Sequence, residues 1–99
     1  MERLKNIHPG EILKEEFLEP LGISAYRLAK DTFIPQTRIS QILHGKRRIT
    51  ADTALRLQKY FGTTAKFWLG LQDDFDIEEE QRLKESELAN IPTIENDAA

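Results

Sequence analysis

Cysteine is absent from this chain of 99 residues, which excludes disulfides, thiolate zinc sites and cysteine nucleophiles. Long hydrophobic runs are also lacking. No stretch approaches the roughly 18 consecutive apolar residues that a membrane-spanning helix needs, and residues 1–20 contain no apolar run of the signal-peptide kind. We therefore expect a soluble, cytoplasmic protein with no membrane partner and, at this length, a single modest core.

A surplus of positive charge is lacking as well, because the formal net charge is −3. That value taken alone argues against a nucleic-acid partner, but the charges are unevenly distributed. Residues 24–50 contain six basic residues and one acidic residue, whereas residues 73–99 contain ten acidic and two basic residues. A basic block followed by an acidic tail is typical of a nucleic-acid-binding unit with a separate acidic extension.

Strand-like alternation of apolar and polar residues is missing, so the predicted fold class is all-α, with five helices and a partly helical acidic C-terminal extension. We predict helices at roughly 9–18, 24–32 and 35–44, a fourth that Thr50 caps and a fifth that begins at Thr63 or Thr64. Asp73 and Asp74 are expected to end or fray the fifth. Residues 77–88 have a thin apolar stripe, so a helix there would need a covering surface.

These elements predict two parts of the chain: residues 1–76 as a helix-turn-helix DNA-binding domain, and residues 77–99 as an acidic C-terminal extension whose last residues are disordered. The DNA-binding prediction rests on the two helices at 24–32 and 35–44. Ser24 is a good N-cap, Pro35 suits the first turn of the next helix, and Gly45 suits a left-handed C-cap. Two short helices joined by a tight turn are what a helix-turn-helix DNA reader requires.

The second helix of that pair carries the candidate base-reading residues, since a recognition helix presents its N-terminal part to the major groove. Glutamine can pair with adenine, threonine can touch a thymine methyl, and arginine can contact guanine or phosphate. The candidates are Gln36, Thr37, Arg38 and Gln41. Lys46, Arg47 and Arg48 follow where a DNA backbone would pass, and are candidate phosphate contacts. The alternative is that all of these are merely solvated surface positions.

Several short sequence blocks, taken in their order along the chain, indicate a more specific class of DNA-binding protein. Ser24 to Gly45, with the residues that follow, resembles the helix-turn-helix of phage repressors. The blocks His8-Pro9-Gly10-Glu11, Gly45-Lys46-Arg47, Ile49-Thr50-Ala51-Asp52-Thr53-Ala54 and Phe67-Trp68-Leu69-x-Leu71-Gln72 together resemble the HigA/VapI antitoxin family over about residues 7–77. The resemblance implies a five-helix domain that forms a homodimer and binds its own operator in double-stranded DNA. It also implies a small, RelE-like toxin that cleaves messenger RNA as a partner.

The sequence departs from the pattern of that family at two positions. The residue after the cap of the second helix is commonly a glutamine that clamps phosphate, but here it is Ala25, so Arg27 is the candidate substitute for the phosphate contact. The turn usually has glycine at the position of Phe33, because its backbone favours φ > 0. We therefore expect a strained Phe33 or a turn of different shape.

No set of nucleophile, base and orienting residue is visible, so no catalytic site, cofactor or metal is predicted and the chain is not expected to be an enzyme. His8 and His44 are assigned to helix ends, and Trp68 to the core or a dimer interface. The acidic extension could bind a basic ribonuclease toxin or only confer solubility. Two rival functions remain: a stand-alone homodimeric transcriptional regulator without a toxin, and a protein-interaction module that has lost DNA binding.

Overall fold

The computed structural model describes residues 5–94, which form six helices and no strand. The first helix, α1, has three consecutive parts, Pro9–Ile12, a π-helical stretch Leu13–Leu18 and Glu19–Leu21. The others are α2 (Ala25–Thr32), α3 (Gln36–Leu43), α4 (Ala51–Phe61), α5 (Ala65–Leu83) and the short α6 (Glu85–Ala89). The all-α prediction is confirmed.

Helix α1 continues three residues beyond its predicted end, to Leu21, with Gly22 in the left-handed conformation as its cap. Pro20 does not stop the helix, because the preceding stretch is wound as a π-helix in which the N–H of Glu19 donates to the carbonyl of Lys14. This wider turn accommodates a residue that cannot donate and whose ring would crowd the carbonyl four residues earlier in an ordinary α-helix.

The helix-turn-helix pair forms as its local signals predict. Ser24 caps α2 by accepting a hydrogen bond from the N–H of Arg27. At the end of α3, Gly45 has φ 72°, and the N–H groups of Gly45 and Lys46 donate to the carbonyls of Ile42 and Gln41 at 3.0 and 2.8 Å. This is a Schellman C-cap. The start of α3 differs from the prediction by one residue, since Pro35 is the N-cap of the helix rather than its first residue.

The core lies where α1 to α5 meet, and it is built from fully buried aliphatic side chains around Trp68. The indole of Trp68 is 0% exposed, and its N–H donates to the Thr63 hydroxyl at 2.7 Å. Phe17 and Phe61 pack against the same ring, at centroid distances of 4.9 and 6.3 Å. The placement of Trp68 in the core is therefore confirmed, and it is not available for base stacking.

Helix α5 does not end at Asp73 and Asp74, as the sequence suggested, but runs on to Leu83. Contacts from elsewhere in the chain support the extra turns. The Asn6 side-chain amide donates to the carbonyl of Phe75 at 3.0 Å and to the Glu79 carboxylate at 2.9 Å. Propensity alone would have stopped the helix at the acidic pair, but tertiary contacts override it.

Beyond these contacts α5 and α6 extend away from the core, and the described residues span 57 × 30 × 22 Å. The predicted apolar stripe is exposed at Ile77, Leu83 and Leu88, so this part of the chain is helical without the covering surface that the sequence led us to expect. The predicted boundary at residue 76 lies inside α5. The predicted disorder of the last residues falls mostly on 95–99, outside the described residues. Within residues 5–94, no helix is both long and apolar enough to cross a bilayer.

Candidate nucleic-acid interface

The N-terminal half of α3 presents polar side chains to solvent. Gln36 and Thr37 are exposed in the first turn, and Gln41 is half-buried one turn further along. On the opposite side of the helix, Ile39 and Ile42 are fully buried in the core. The helix is therefore anchored by one face, and the side chains suited to base edges lie on the other.

Arg38 is the exception among the predicted base readers, because its guanidinium turns back toward the start of α4. Its Nη1 lies 2.7 Å from Asp52 Oδ2 and 3.4 Å from the Thr53 hydroxyl, and its side chain is 26% exposed. The hydrogen bonds from Arg38 and Arg56 hold the pKa of the Asp52 carboxyl below its ordinary value. Arg38 is thus partnered within the chain, at the edge of the exposed face of α3.

Asp52 also connects that edge to the turn of the helix-turn-helix. Its other oxygen accepts from Arg56 Nε at 3.1 Å, and Arg56 Nη1 donates to the carbonyl of Thr32 at 3.0 Å. Arg56 therefore satisfies a carbonyl at the C-terminal end of α2. No role was predicted for Asp52 or Arg56 from the sequence, although an acid and an arginine four positions apart on a predicted helix are a recognisable ion-pair pattern.

Three predicted DNA-contacting arginines meet in one cleft of about 320 Å³ between α3 and α4, namely Arg38, Arg47 and Arg48. Lys46, directly before Arg47, is exposed. Arg27 does not belong to this group. It lies on α2, where its Nε is 3.4 Å from Asp31, and Asp31 also accepts from the Tyr60 hydroxyl at 2.7 Å. The predicted DNA-contacting basic residues thus form a cluster between α3 and α4 and a separate position on α2.

The loop between α3 and α4 is fixed by helix α5. The N–H of Ile49 donates to Gln72 Oε1 at 2.7 Å, and Gln72 Nε2 donates to Asp76 Oδ1 at 2.9 Å. Arg48 forms an ion pair with the same carboxylate. Burial acts to raise the pKa of Asp76, but the hydrogen bonds from Arg48 and Gln72 outweigh it and leave the pKa lowered. The sequence placed Gln72 only within a block that resembles the family and predicted no role for Asp76, because their partners Ile49 and Arg48 are distant along the chain.

The C-terminal end of α3 is held against α1 by a backbone contact. A Cβ at Gly10 would lie 1.9 Å from the carbonyl oxygen of Ile42, so only glycine fits. The adjacent His8 caps α1, accepting from the N–H of Gly10 at 2.8 Å through Nδ1, while Glu11 accepts from the His8 N–H. Burial lowers the pKa of His8. This reciprocal capping box agrees with the predicted helix start.

His44, the second histidine, bonds within its own helix, with Nδ1 2.7 Å from the carbonyl oxygen of Ser40. Both histidines therefore act at helix ends, as predicted. In residues 5–94, no group of three or more histidine, aspartate or glutamate side chains is arranged to hold a metal ion.

Residues 14–68, more than half of the chain, match the family described as Helix-turn-helix. The chain belongs to this family. Within the helix-turn-helix family, Virulence-associated protein I of Dichelobacter nodosus is 49% identical to this chain over 86 residues, covering 87% of this chain and 80% of that protein.

Two solved helix-turn-helix proteins are similar along nearly the whole chain. An addiction module antidote protein of the HigA family from Coxiella burnetii has 48% identity and a TM-score of 0.86, covering 93% of this chain and 100% of that one. The antitoxin HigA of Pseudomonas aeruginosa, solved with the higBA promoter, has 34% identity and a TM-score of 0.88, covering 92% and 100%. The resemblance to HigA/VapI antitoxins is confirmed, and these relatives are antitoxins rather than enzymes.

Proposed function

We propose that this protein is an antitoxin that binds its own operator as a homodimer and represses its operon from the cytoplasm. The observation that carries the proposal is the exposed first turn of α3, with Gln36 and Thr37, beside the cleft lined by Arg38, Arg47 and Arg48. The promoter bound to the Pseudomonas aeruginosa HigA supports operator DNA as the ligand.

In the proposed complex, α3 enters the major groove, and the residues of the cleft face the phosphates. Two recognition helices of a homodimer would lie in successive major grooves about 34 Å apart, and repression would follow from occlusion of the promoter. Arg38 would have to exchange Asp52 for DNA, or contact DNA with the donors that Asp52 leaves free. With roughly 6–10 phosphates engaged, affinity should fall about 10³–10⁵-fold between 50 and 200 mM salt.

Gel shifts with the DNA upstream of the gene test this proposal. Gln36→Ala and Gln41→Ala should each cost ~1–3 kcal/mol on the operator and relax the preference for one base pair, because each removes a bidentate donor–acceptor pair. Arg48→Ala is the matched comparison, since it should weaken operator and random DNA alike. Equal losses on both DNAs for Gln36→Ala would reject Gln36 as a base reader.

The acidic extension supports a second part of the proposal, that the chain neutralises a small basic ribonuclease toxin of the RelE-like kind. Leu83 and Ile91 are 76% and 66% exposed, next to the acidic residues of α5 and α6. An apolar stripe flanked by acids suits a basic partner, because an RNA-cleaving protein needs positive charge to hold its substrate.

Co-expression with a neighbouring gene of toxin size tests this part. We expect the two products to co-purify and RNA cleavage to be suppressed. Leu83→Ser should weaken capture, whereas Leu55→Ser, at a leucine that is 55% exposed on α4, should not. If no neighbouring product is captured while operator binding persists, the protein is a stand-alone homodimeric regulator. Failure to bind the upstream DNA would favour an interaction module that has lost DNA binding.

A further inference from the structure

One turn of α5 binds Arg48 and Ile49, two consecutive residues of the loop between α3 and α4. Gln72 is 1% exposed, and both ends of its amide are engaged, Oε1 with the N–H of Ile49 and Nε2 with Asp76 Oδ1. The second oxygen of Asp76 accepts from Arg48 Nη2. A buried amide bonded at both ends fixes where the carboxylate points, and the carboxylate in turn fixes one end of the guanidinium.

Arg48 keeps donors available after this pairing. Its side chain is 56% exposed, and a guanidinium has five N–H donors, of which a single carboxylate uses only part. The side chain also lines the cleft with Arg38 and Arg47. An arginine held before its ligand arrives loses less conformational entropy on binding than a free one.

We propose that Asp76 is a positioning residue for DNA binding, which orients Arg48 toward a backbone phosphate without touching DNA itself. This inference rests on the proposed operator binding. It assigns to α5, the helix that leads into the acidic extension, a direct part in forming the DNA-contacting surface.

Whether removal of the Asp76 carboxylate weakens or tightens DNA binding distinguishes a positioning role from simple charge repulsion. Removing a carboxylate near bound DNA should tighten binding if the carboxylate only repels phosphates or competes with them for Arg48. Removing a carboxylate that orients Arg48 should weaken binding instead, although the protein has become less acidic. Asp74 provides the matched control, since it is exposed on the same helix two residues earlier.

The experiment compares the full-length variants Asp76→Asn and Asp74→Asn by fluorescence anisotropy with a duplex from upstream of the gene, at 50–200 mM salt. We expect Asp76→Asn to bind about tenfold more weakly than Asp74→Asn at the lowest salt, the loss of one charge-assisted hydrogen bond. The slope of log affinity against log salt should become shallower by about 0.9, the value of one phosphate contact. Asp76→Glu, which keeps the carboxylate, should restore most of the binding.

A merely structural role is tested by repeating the comparison in an Arg48→Ala background. If Asp76 acts through Arg48, the difference between Asp76→Asn and Asp74→Asn should vanish there, because the oriented group is gone. Persistence of the difference would overturn the inference, as would an Asp76→Asn variant that binds as tightly as Asp74→Asn or more tightly. Failure of the unmodified protein to bind the duplex would instead refute the proposed function, and the inference with it.

Discussion

Replacing Gly10 with alanine would put a methyl carbon 1.9 Å from the carbonyl oxygen of Ile42. To reach an ordinary contact of 3.4 Å, α1 and α3 would have to separate by about 1.5 Å. Both groups are attached to helix backbone, so no side chain can rotate away. We expect a loss at the upper end of overpacking, about 3 kcal/mol in the free energy of unfolding, and a fall of roughly 12–24 °C in Tm.

Urea unfolding followed by tryptophan fluorescence measures this effect, because Trp68 is the single tryptophan and is fully buried. The midpoint should fall while the m-value stays unchanged. Gly70→Ala is the matched control. Its Cβ would meet no described atom within 4 Å, and Gly70 lies inside α5, where alanine should stabilise by about 0.5–1 kcal/mol.

The two glycine variants should therefore move the free energy of unfolding in opposite directions. A Gly10→Ala variant as stable as the unmodified protein would refute the close backbone contact between α1 and α3. A lower stability for both variants to the same degree would show that the loss comes from the added methyl group in general and not from the contact with Ile42.

Two further predictions concern backbone strain and protonation. Phe33→Gly should raise the free energy of unfolding by about 0.5–1 kcal/mol, because Phe33 has φ 57° and an 84% exposed side chain; a lower thermal midpoint would mean that the ring contributes more than the strain costs. The lowered pKa of His8 means that the unfolded chain binds the proton more readily, so stability should be complete above about pH 6.5 and be lost as the pH falls below it. His8→Asn, which can still cap α1 but does not titrate, should remove that part of the pH dependence in thermal melts; an unchanged profile would assign it to other groups.

The helix-turn-helix could be predicted from the sequence because its signals are local. The cap at Ser24 and the left-handed Gly45 each depend on the few residues around them, and the structure has both. The same holds for Phe33, whose expected strain is found as a positive φ. A resemblance covering several ordered blocks then supplied the family, which no single helix pattern could do.

The contacts that shape the candidate interface could not be predicted in this way. Arg38 finds its carboxylate 14 residues further along, and Arg48 finds Asp76 at a separation of 28 residues. Ion pairs between residues so far apart in the sequence depend on how the helices pack. A count of charges along the sequence cannot show them, so it leaves each arginine available for DNA. The continuation of α5 past Asp73 has the same origin, because the contacts that support it come from the opposite end of the chain.

The contact between Gly10 and Ile42 also bears on how such a protein could recognise its operator. With α3 fixed to α1 at its C-terminal end, and the following loop fixed to α5 through Gln72, the reading unit would dock as one rigid body. Adjustment to a half-site would then fall to the DNA, whose cost of bending and groove compression depends on base sequence. Base pairs between the half-sites, which no side chain reaches, would contribute to operator choice through their flexibility.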